Sequence, residues 1–145
     1  MLFRSLCQQL NLTIVGPETA EGHMHTRAEW IAHGASDVSR YDVWLGGITP
    51  MLKAVHLCES FGVSLEVHGP GAGNLHVLGA MSIPGLYYER GLLHPFLDYE
   101  AQTPWLKEVI DPLDADGCVR IPQRPGLGEE IDWVFIRENQ LSDWE

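Results

Sequence analysis

Four ionisable side chains recur along the first two thirds of the sequence, about 21 to 26 residues apart: Glu18, Asp42, His68 and Glu89. Each follows a short segment that predicts a β-strand, and the segment before Asp42 is the weaker candidate. The carboxyl ends of parallel strands lie on one face of a sheet, where α/β folds place their ligand sites. We therefore expect these four groups to converge on one crevice.

Such a set of groups suits acid–base chemistry. A histidine titrates near physiological pH, one carboxylate can orient its ring, and others can bind a metal ion or supply a proton. Taken singly, however, an acidic residue after a strand is usually a turn residue or a helix cap, and a histidine is usually structural. Spacing alone leaves both interpretations open.

The elements that must position these groups alternate along the chain. Short β-forming runs predict four strands, at Leu12–Val15, Asp37–Tyr41, Val63–Val67 and Leu86–Tyr88. Segments with helical spacing of apolar residues predict three helices between them, opened by Thr26, Thr49 and Asn74 and closed near Gly34, Gly62 and Pro84. This alternation predicts an α/β fold, a parallel sheet with crossover helices.

The sequence changes character after Glu89, where prolines become frequent. The segment Asp114–Gly117 predicts a turn between two short strands, which would form a small hairpin. The last apolar segment, Ile131–Ile136, predicts either a short strand or an irregular packing arm. We therefore divide the chain into residues 1–93 and a C-terminal extension, residues 94–145.

Length and charge exclude several classes of protein. A chain of 145 residues is too short to close a (β/α)₈ barrel, which needs about 250 residues. The net charge of −11 disfavours nucleic acid and anionic membranes as partners. Three cysteines without a CxxC pattern, and a start that does not read as a signal peptide, predict reduced thiols and a cytoplasmic location. The sequence has no apolar run long enough to cross a membrane.

Several stretches of the chain match a known family in order. They are Asp42-Val-Trp-Leu-Gly-Gly-Ile-Thr-Pro, Phe61-Gly-Val-Ser-Leu-Glu-Val-His68-Gly, Tyr87-Tyr-Glu89 and Pro125-Gly-Leu-Gly-Glu. With Glu18, they resemble the C-terminal part of the mandelate racemase and muconate lactonizing enzyme family of the enolase superfamily. The resemblance runs from about Leu10 to Ile136.

The resemblance implies a fold and a set of residue roles. The family has an N-terminal capping domain and a (β/α)₇β barrel, so this chain would be a partial TIM-type barrel of about four parallel strands. Its C-terminal hairpin or arm would pack on the capping domain. Glu18 matches a Mg²⁺ ligand, Asp42 and His68 match an acid–base dyad, and Glu89 matches a group that hydrogen-bonds the substrate carboxylate.

The resemblance also implies a reaction, abstraction of the proton α to a carboxylate in a Mg²⁺-dependent enzyme. A small carboxylate, an acid sugar, is the expected substrate, and dehydration is the expected outcome. Racemisation or epimerisation is the alternative within the family. In the family, two further Mg²⁺ ligands and a lysine motif lie upstream of the part that this chain resembles, and the residues before Leu10 do not supply them, so the chain could also be a non-catalytic truncated remnant. We expect it to need an N-terminal half or self-association.

A second pattern, His23-Met-His25, follows Glu18 closely. An HxH pair can ligate zinc or copper, but metal sites usually need further ligands. The pair could instead contact a polar substrate or lie on a plain surface. The sequence does not decide among these three roles.

Overall fold

The computed structural model describes residues 2–20, 23–83, 85, 87–90 and 102–141. Within them, helices and a small parallel sheet alternate, which confirms the α/β class. The helices are α1 (Leu2–Gln9), α2 (His23–Ala32), α3 (Ile48–Phe61), α4 (Ala72–Ala80) and α5 (Trp133–Glu138), with a 3₁₀ turn at Val43–Leu45. The strands are β1 (Val38–Tyr41) and β2 (Ser64–Val67).

The parallel pairing of β1 and β2 organises the fold, and α3 makes the crossover between them. In the register, Arg40 lies opposite Glu66 and Tyr41 lies opposite Val67. Side chains alternate along each strand, so Tyr41 and Val67 are buried while Arg40 and Glu66 face the other way. Both strands end at the same edge, just before Asp42 and His68.

The predicted strand Leu12–Val15 is reduced to one parallel bridge, between Val15 and Val38. The segment does run beside β1, because the amide of Asp37 donates to the carbonyl of Ile14 at 2.8 Å. The Asp37 carboxylate, however, accepts the amide hydrogen of Ile14 at 2.8 Å. A side chain therefore takes a donor that a longer ladder would need, and the pairing ends there.

The predicted strand Leu86–Tyr88 is not formed in the part of it that the structure describes, and Leu86 lies outside the described residues. Tyr88 and Glu89 are held by hydrogen bonds of their side chains instead, which accept from the amides of Gly71 and Gly69 respectively. Of the four strands expected, two are present as strands among the described residues. Among the described residues, the prediction of about four parallel strands is thus confirmed for two of them.

The helix boundaries differ from the predicted caps. Helix α2 begins three residues before Thr26, and α3 begins at Ile48 with Gly47 as its N-cap, so Thr49 lies inside the helix. The predicted end of α3 is confirmed, since Gly62 adopts a left-handed conformation (φ 66°) and its amide donates to the carbonyls of Cys58 and Glu59.

Helix α4 begins two residues before the predicted cap Asn74, which is fully buried. Helix α1 was not predicted at all. In the C-terminal part, the turn after Asp114 is confirmed, because the amide of Asp114 donates to the carbonyl of Cys118 at 2.9 Å. One antiparallel bridge, Leu113 with Val119, flanks it.

The interpretation of Ile131–Ile136 as a strand or irregular arm is wrong for most of that segment. Ile131 forms one antiparallel bridge with Leu106, and helix α5 begins two residues later. Asp132 caps the helix, because its carboxylate accepts from the amides of Val134 and Phe135. The boundary at residues 93 and 94 lies outside the described residues.

The core lies between the sheet and α3, with α4 beside it. Its fully buried members include Tyr41, Met51, Ala54, Val55 and Cys58. Cys58 and Cys118 are free thiols, the first buried and the second exposed. None of the helices in the described ranges is long and apolar enough to cross a membrane.

Candidate active site

His68 and Asp42 meet where β1 and β2 end. The amide of His68 donates to the carbonyl of Tyr41 at 2.9 Å, which continues the parallel ladder by one bond. The Nδ1 atom of His68 lies 2.9 Å from Oδ2 of Asp42. The strand register therefore brings the two predicted members of a dyad into direct contact.

The Asp42 carboxylate is held from two sides. Its side chain is 5% exposed, whereas that of His68 is 30% exposed. Its Oδ1 atom accepts from the amide of Leu45 at 3.1 Å and caps the 3₁₀ turn, which leaves Oδ2 for the imidazole. A carboxylate fixed in this way can hold one ring nitrogen while the other faces the crevice.

Glu18 faces the other nitrogen of the same ring. Its Oε1 atom lies 3.2 Å from Nε2 of His68, so the imidazole stands between two carboxylates. The backbone of Glu18 is fixed separately, since its carbonyl accepts from Nη2 of Arg27 at 2.6 Å. The first predicted site residue is therefore beside the dyad, although its strand is only a bridge.

Arg27 is fully buried in α2, and its hydrogen bonds link the backbone at Glu18 to the backbone of β1. Its Nη2 atom also donates to the carbonyls of Arg40 at 3.0 Å and Pro17 at 3.3 Å. Its guanidinium lies 3.7 Å from the centre of the Tyr41 ring, in a cation–π contact. Burial lowers the pKa of Arg27, while the nearby Tyr41 and Asp42 act to raise it.

Glu89 reaches the same crevice from the segment after α4. Its Oε2 atom accepts from the amide of Gly69 at 3.2 Å, next to His68 in the chain. The same oxygen pairs with Nη2 of Arg40. The structure thus brings together all four residues that the sequence selected.

Arg40 is the site residue that the sequence analysis missed. Its guanidinium pairs with Glu18 at 2.8 Å, with Glu66 at 3.5 Å and with Glu89. The signal was present, because a residue two positions before Asp42 in a strand shares its face. The same alternation places Glu66 on the face of His68.

Asn74 was predicted as a helix cap and instead shapes the loop after His68. Its Nδ2 atom donates to the carbonyls of His68, Gly69 and Pro70 at 2.8, 3.1 and 3.3 Å. Its Oδ1 atom accepts from the amide of Val43 at 3.0 Å. One buried amide therefore joins the loop after β2 to the turn after β1.

Tyr88 joins that loop to the C-terminal part of the chain. Its hydroxyl accepts from the amide of Gly71 at 2.8 Å and donates to Oδ2 of Asp111 at 2.7 Å. Burial, and then the hydrogen bond to Asp111, raise the pKa of Tyr88 well above its ordinary value. The phenol is therefore a neutral donor at physiological pH.

The HxH pair lies in α2, with His23 as its first residue. The side chain of His25 is exposed, and the side chain of His23 lies outside the described part of the chain. Among the described residues, no hydrogen bond or ion pair joins His25 to the dyad, so the role of the HxH pair stays a prediction.

The described residues do not fit a magnesium ion. Among them, no three His, Cys, Asp or Glu side chains are grouped to hold a metal. Mg²⁺ needs near-octahedral oxygen ligands. Both oxygens of Glu18 are already engaged, by Arg40 and by His68.

Comparisons with known proteins point to one family. The sequence model described as "Enolase C-terminal domain-like" matches residues 2–134. Arabinonate dehydratase of Saccharolobus solfataricus is 31% identical over 138 residues, which cover 90% of this chain and 34% of that protein.

Solved structures agree with the sequence match. D-Glucarate dehydratase from Agrobacterium tumefaciens, complexed with magnesium, is 51% identical with a TM-score of 0.88, over 94% of this chain and 36% of that one. L-Talarate dehydratase from a Polaromonas species, complexed with Mg and L-glucarate, is 26% identical with a TM-score of 0.71, over 93% of this chain and 35% of that one. The chain spans about a third of the length of these relatives.

Proposed function

This chain belongs to the enolase C-terminal domain-like family, and from that premise we propose that it supplies the acid–base half of a sugar-acid dehydratase. The observation that carries the proposal is the 2.9 Å contact between His68 and Asp42 at the shared end of two parallel strands. The dehydratases among its relatives support the substrate class, a small carboxylate of the acid-sugar kind.

In the proposed reaction His68 moves the protons. Asp42 accepts a hydrogen bond from Nδ1. The Nε2 atom, which lies 3.2 Å from Oε1 of Glu18 in the structure, exchanges that contact for the substrate and takes the proton from the carbon next to the substrate carboxylate. The electrons of that C–H bond form a carbon–carbon double bond as the neighbouring hydroxyl leaves. The proton held by His68 joins that hydroxyl and releases water, and the resulting enol becomes a keto acid.

Glu89 is proposed to hydrogen-bond the substrate carboxylate. The hydrogen bond from the amide of Gly69, the residue after His68, supports this role, and the side chain of Glu89 is 28% exposed. A carboxyl group can donate such a bond only when it is protonated, so this role requires Glu89 to separate from Arg40 when the substrate binds. We assign Glu89 the substrate-orienting role and leave proton transfer to His68.

Glu18 is proposed as the one metal ligand that this chain contributes. Magnesium is present in the two dehydratase structures described above, where it belongs to those proteins. In this chain the described donors do not form a magnesium site, so no step is derived through the ion. The remaining ligands would have to come from another polypeptide segment.

We also propose that the chain forms the C-terminal half of a (β/α)₇β barrel, with residues 94–145 packing on a capping domain. The TM-score of 0.88 to a chain of which this one covers 36% supports that arrangement. The segment Leu12–Val15 lies beside β1 through a single bridge, and the exposed side chain of Leu12 supports an open outer edge that another strand could join.

A chimeric enzyme tests the proposed function. The matching C-terminal segment of the Agrobacterium D-glucarate dehydratase is replaced by this chain, and keto-acid release is followed with Mg²⁺ and a panel of acid sugars. We expect water loss from at least one of them. His68→Asn should abolish it, whereas His33→Asn, at an exposed position after α2, should not.

Other outcomes decide between the alternatives. Exchange of the α-proton with inverted configuration and no keto acid would assign the racemase or epimerase reaction instead. A folded chimera that neither releases keto acid nor exchanges the α-proton would assign a non-catalytic remnant. Activity that survives His68→Asn would refute the role of His68 as the base.

A further inference from the structure

Arg40 stands where carboxylates from three separate segments meet. Glu18 comes from the loop after the bridge at Val15, Glu66 from β2, and Glu89 from the segment after α4. Each nitrogen of the guanidinium faces a different one: Nε faces Glu18, Nη1 faces Glu66 and Nη2 faces Glu89. The contact of Nε with Glu18 is an ion pair only, because Nε has no hydrogen-bond partner among the described residues, whereas Nη2 donates a hydrogen bond to Glu89. A planar guanidinium can present one nitrogen to each of three carboxylates, which the single ammonium group of a lysine cannot do.

The strand register sets this position. Arg40 is the direct partner of Glu66 across the parallel pair, and it shares a sheet face with Asp42. Its backbone carbonyl is held by Arg27 at 3.0 Å. The guanidinium therefore sits over the crevice because of the fold, and its side chain is only 22% exposed.

Charge explains why a cation is needed there. Glu18, Glu66 and Glu89 all lie against Arg40, and Asp42 adds a fourth carboxylate on the other side of His68. Carboxylates held this close repel one another unless a cation lies between them. Arg40 is the described cation that pairs with three of these carboxylates, whereas the guanidinium of Arg27 binds backbone carbonyls and lies against the Tyr41 ring.

Arg40 also blocks the carboxylate that a metal ion would use. Its Nε atom is 2.8 Å from Oε2 of Glu18, and His68 takes Oε1 of the same residue. A divalent ion at Glu18 would lie close to a guanidinium that is always protonated, and like charges at such a distance repel.

We infer that Arg40 takes the place of a divalent cation in this chain and prevents its carboxylates from binding one. Glu18 becomes available to a metal ion only when Arg40 leaves it. The inference concerns cation binding by the chain itself, so it does not depend on the proposed reaction, and its test uses no substrate.

The test compares the full chain with two single variants, Arg40→Gln and Arg120→Gln. Mn²⁺ serves as the probe, because it favours the same oxygen ligands as Mg²⁺ and its free form is measured by electron paramagnetic resonance. We expect Arg40→Gln to bind Mn²⁺ at least about tenfold more tightly than the unmodified chain. Arg120, whose side chain is 85% exposed, is the matched control and should change nothing.

A double variant locates the gain. Adding Glu18→Gln to Arg40→Gln should return the affinity to that of the unmodified chain. Equal or weaker Mn²⁺ binding by Arg40→Gln, or a gain that persists without Glu18, would overturn the inference.

The folding of the variant is part of the same test. If Arg40→Gln is unfolded without a cation, we expect Mn²⁺ to restore its circular dichroism, because a ligand that binds the native state stabilises it. Failure of Mn²⁺ to restore the fold would count against the inference as directly as an unchanged affinity.

Discussion

The carboxylate of Asp42 lies behind the imidazole of His68, at 2.9 Å and on its buried side. The two residues are 26 positions apart, and one helix, α3, makes the crossover that brings them together. Because Asp42 is also fixed by the amide of Leu45, the ring is positioned from behind while its other nitrogen stays in the crevice.

Replacing Asp42 with asparagine should remove the negative charge behind the ring and leave one acceptor oxygen for two donors, the amide of Leu45 and Nδ1–H, while keeping the shape of the side chain. In the chimeric enzyme we expect kcat to fall about 10²- to 10⁴-fold, with a much smaller change in KM. Steady-state kinetics on the same acid sugar would measure this. Asp116→Asn, at an exposed turn position, is the control. An unchanged kcat in folded Asp42→Asn would contradict the proposed dyad.

Replacing Asn74 with alanine should destabilise the fold. The change leaves the amide of Val43 without its side-chain acceptor and removes the donor for three loop carbonyls. Buried polar groups left unpaired cost about 1–3 kcal/mol, so we expect a loss of at least that size in urea unfolding. Asn139→Ala, where the amide is exposed, should cost less than about 0.5 kcal/mol. Equal losses in the two variants would refute the role of Asn74.

Tyr88 should make stability fall in alkaline solution. Its pKa is raised in the folded state, so the folded chain keeps a proton that the unfolded chain loses near pH 10. Its contribution is complete below about pH 10 and declines as the pH rises further, by at most about 1.4 kcal/mol per pH unit. Urea unfolding of the chain and of Tyr88→Phe between about pH 9 and pH 11 would measure the difference.

The control for that measurement is Tyr87→Phe, since Tyr87 is exposed. The pKa of Tyr41 is also raised, by burial, but Tyr41 is present in every variant and its effect cancels. If the free energy of unfolding of Tyr88→Phe falls with rising pH as steeply as that of the unmodified chain, Tyr88 is not the cause of the alkaline loss of stability.

Gly128, in the Pro125-Gly-Leu-Gly-Glu motif, should tolerate alanine poorly. Its φ is +77°, and an added Cβ would lie 2.3 Å from Cβ of Pro122. Gly117 has a similar φ of +74° but open space around it, so Gly117→Ala isolates the backbone effect, about 1 kcal/mol. We expect Gly128→Ala to lower the thermal midpoint clearly more than Gly117→Ala. Equal shifts would mean that Pro122 moves aside freely.

The sequence was sufficient for the elements whose pattern is local. Strands β1 and β2 are short segments in which buried and more exposed residues alternate, and Gly62 ends α3 as a left-handed cap. Prediction from the sequence failed where side chains compete with the backbone for hydrogen-bond donors and acceptors. The carboxylate of Asp37 takes a donor from the first predicted strand. The side chain of Asn74 bonds to a loop instead of capping α4.

The four selected site residues could be found from the sequence because each follows a predicted strand, at an interval of 21 to 26 residues from the one before. Arg40 and Arg27 could not be found by that rule, since neither follows a strand.

An arginine inside a predicted strand or helix is normally interpreted as part of a solvent-exposed face, unless its interaction partners are known. The partners of Arg40 come from segments far apart in sequence, and those of Arg27 include backbone carbonyls, which leave no sequence pattern.

The alternation of side chains along β1 also has a consequence for how this gene can vary. Deleting or inserting one residue within Val38–Tyr41 would rotate Arg40 and Tyr41 onto each other's faces, moving a charge into the core and an aromatic ring into the crevice. A single codon gained or lost there would therefore damage packing and chemistry together. Length variation among natural homologues should consequently be absent from this strand and be concentrated in the surface turns, such as the one at Asp114–Gly117.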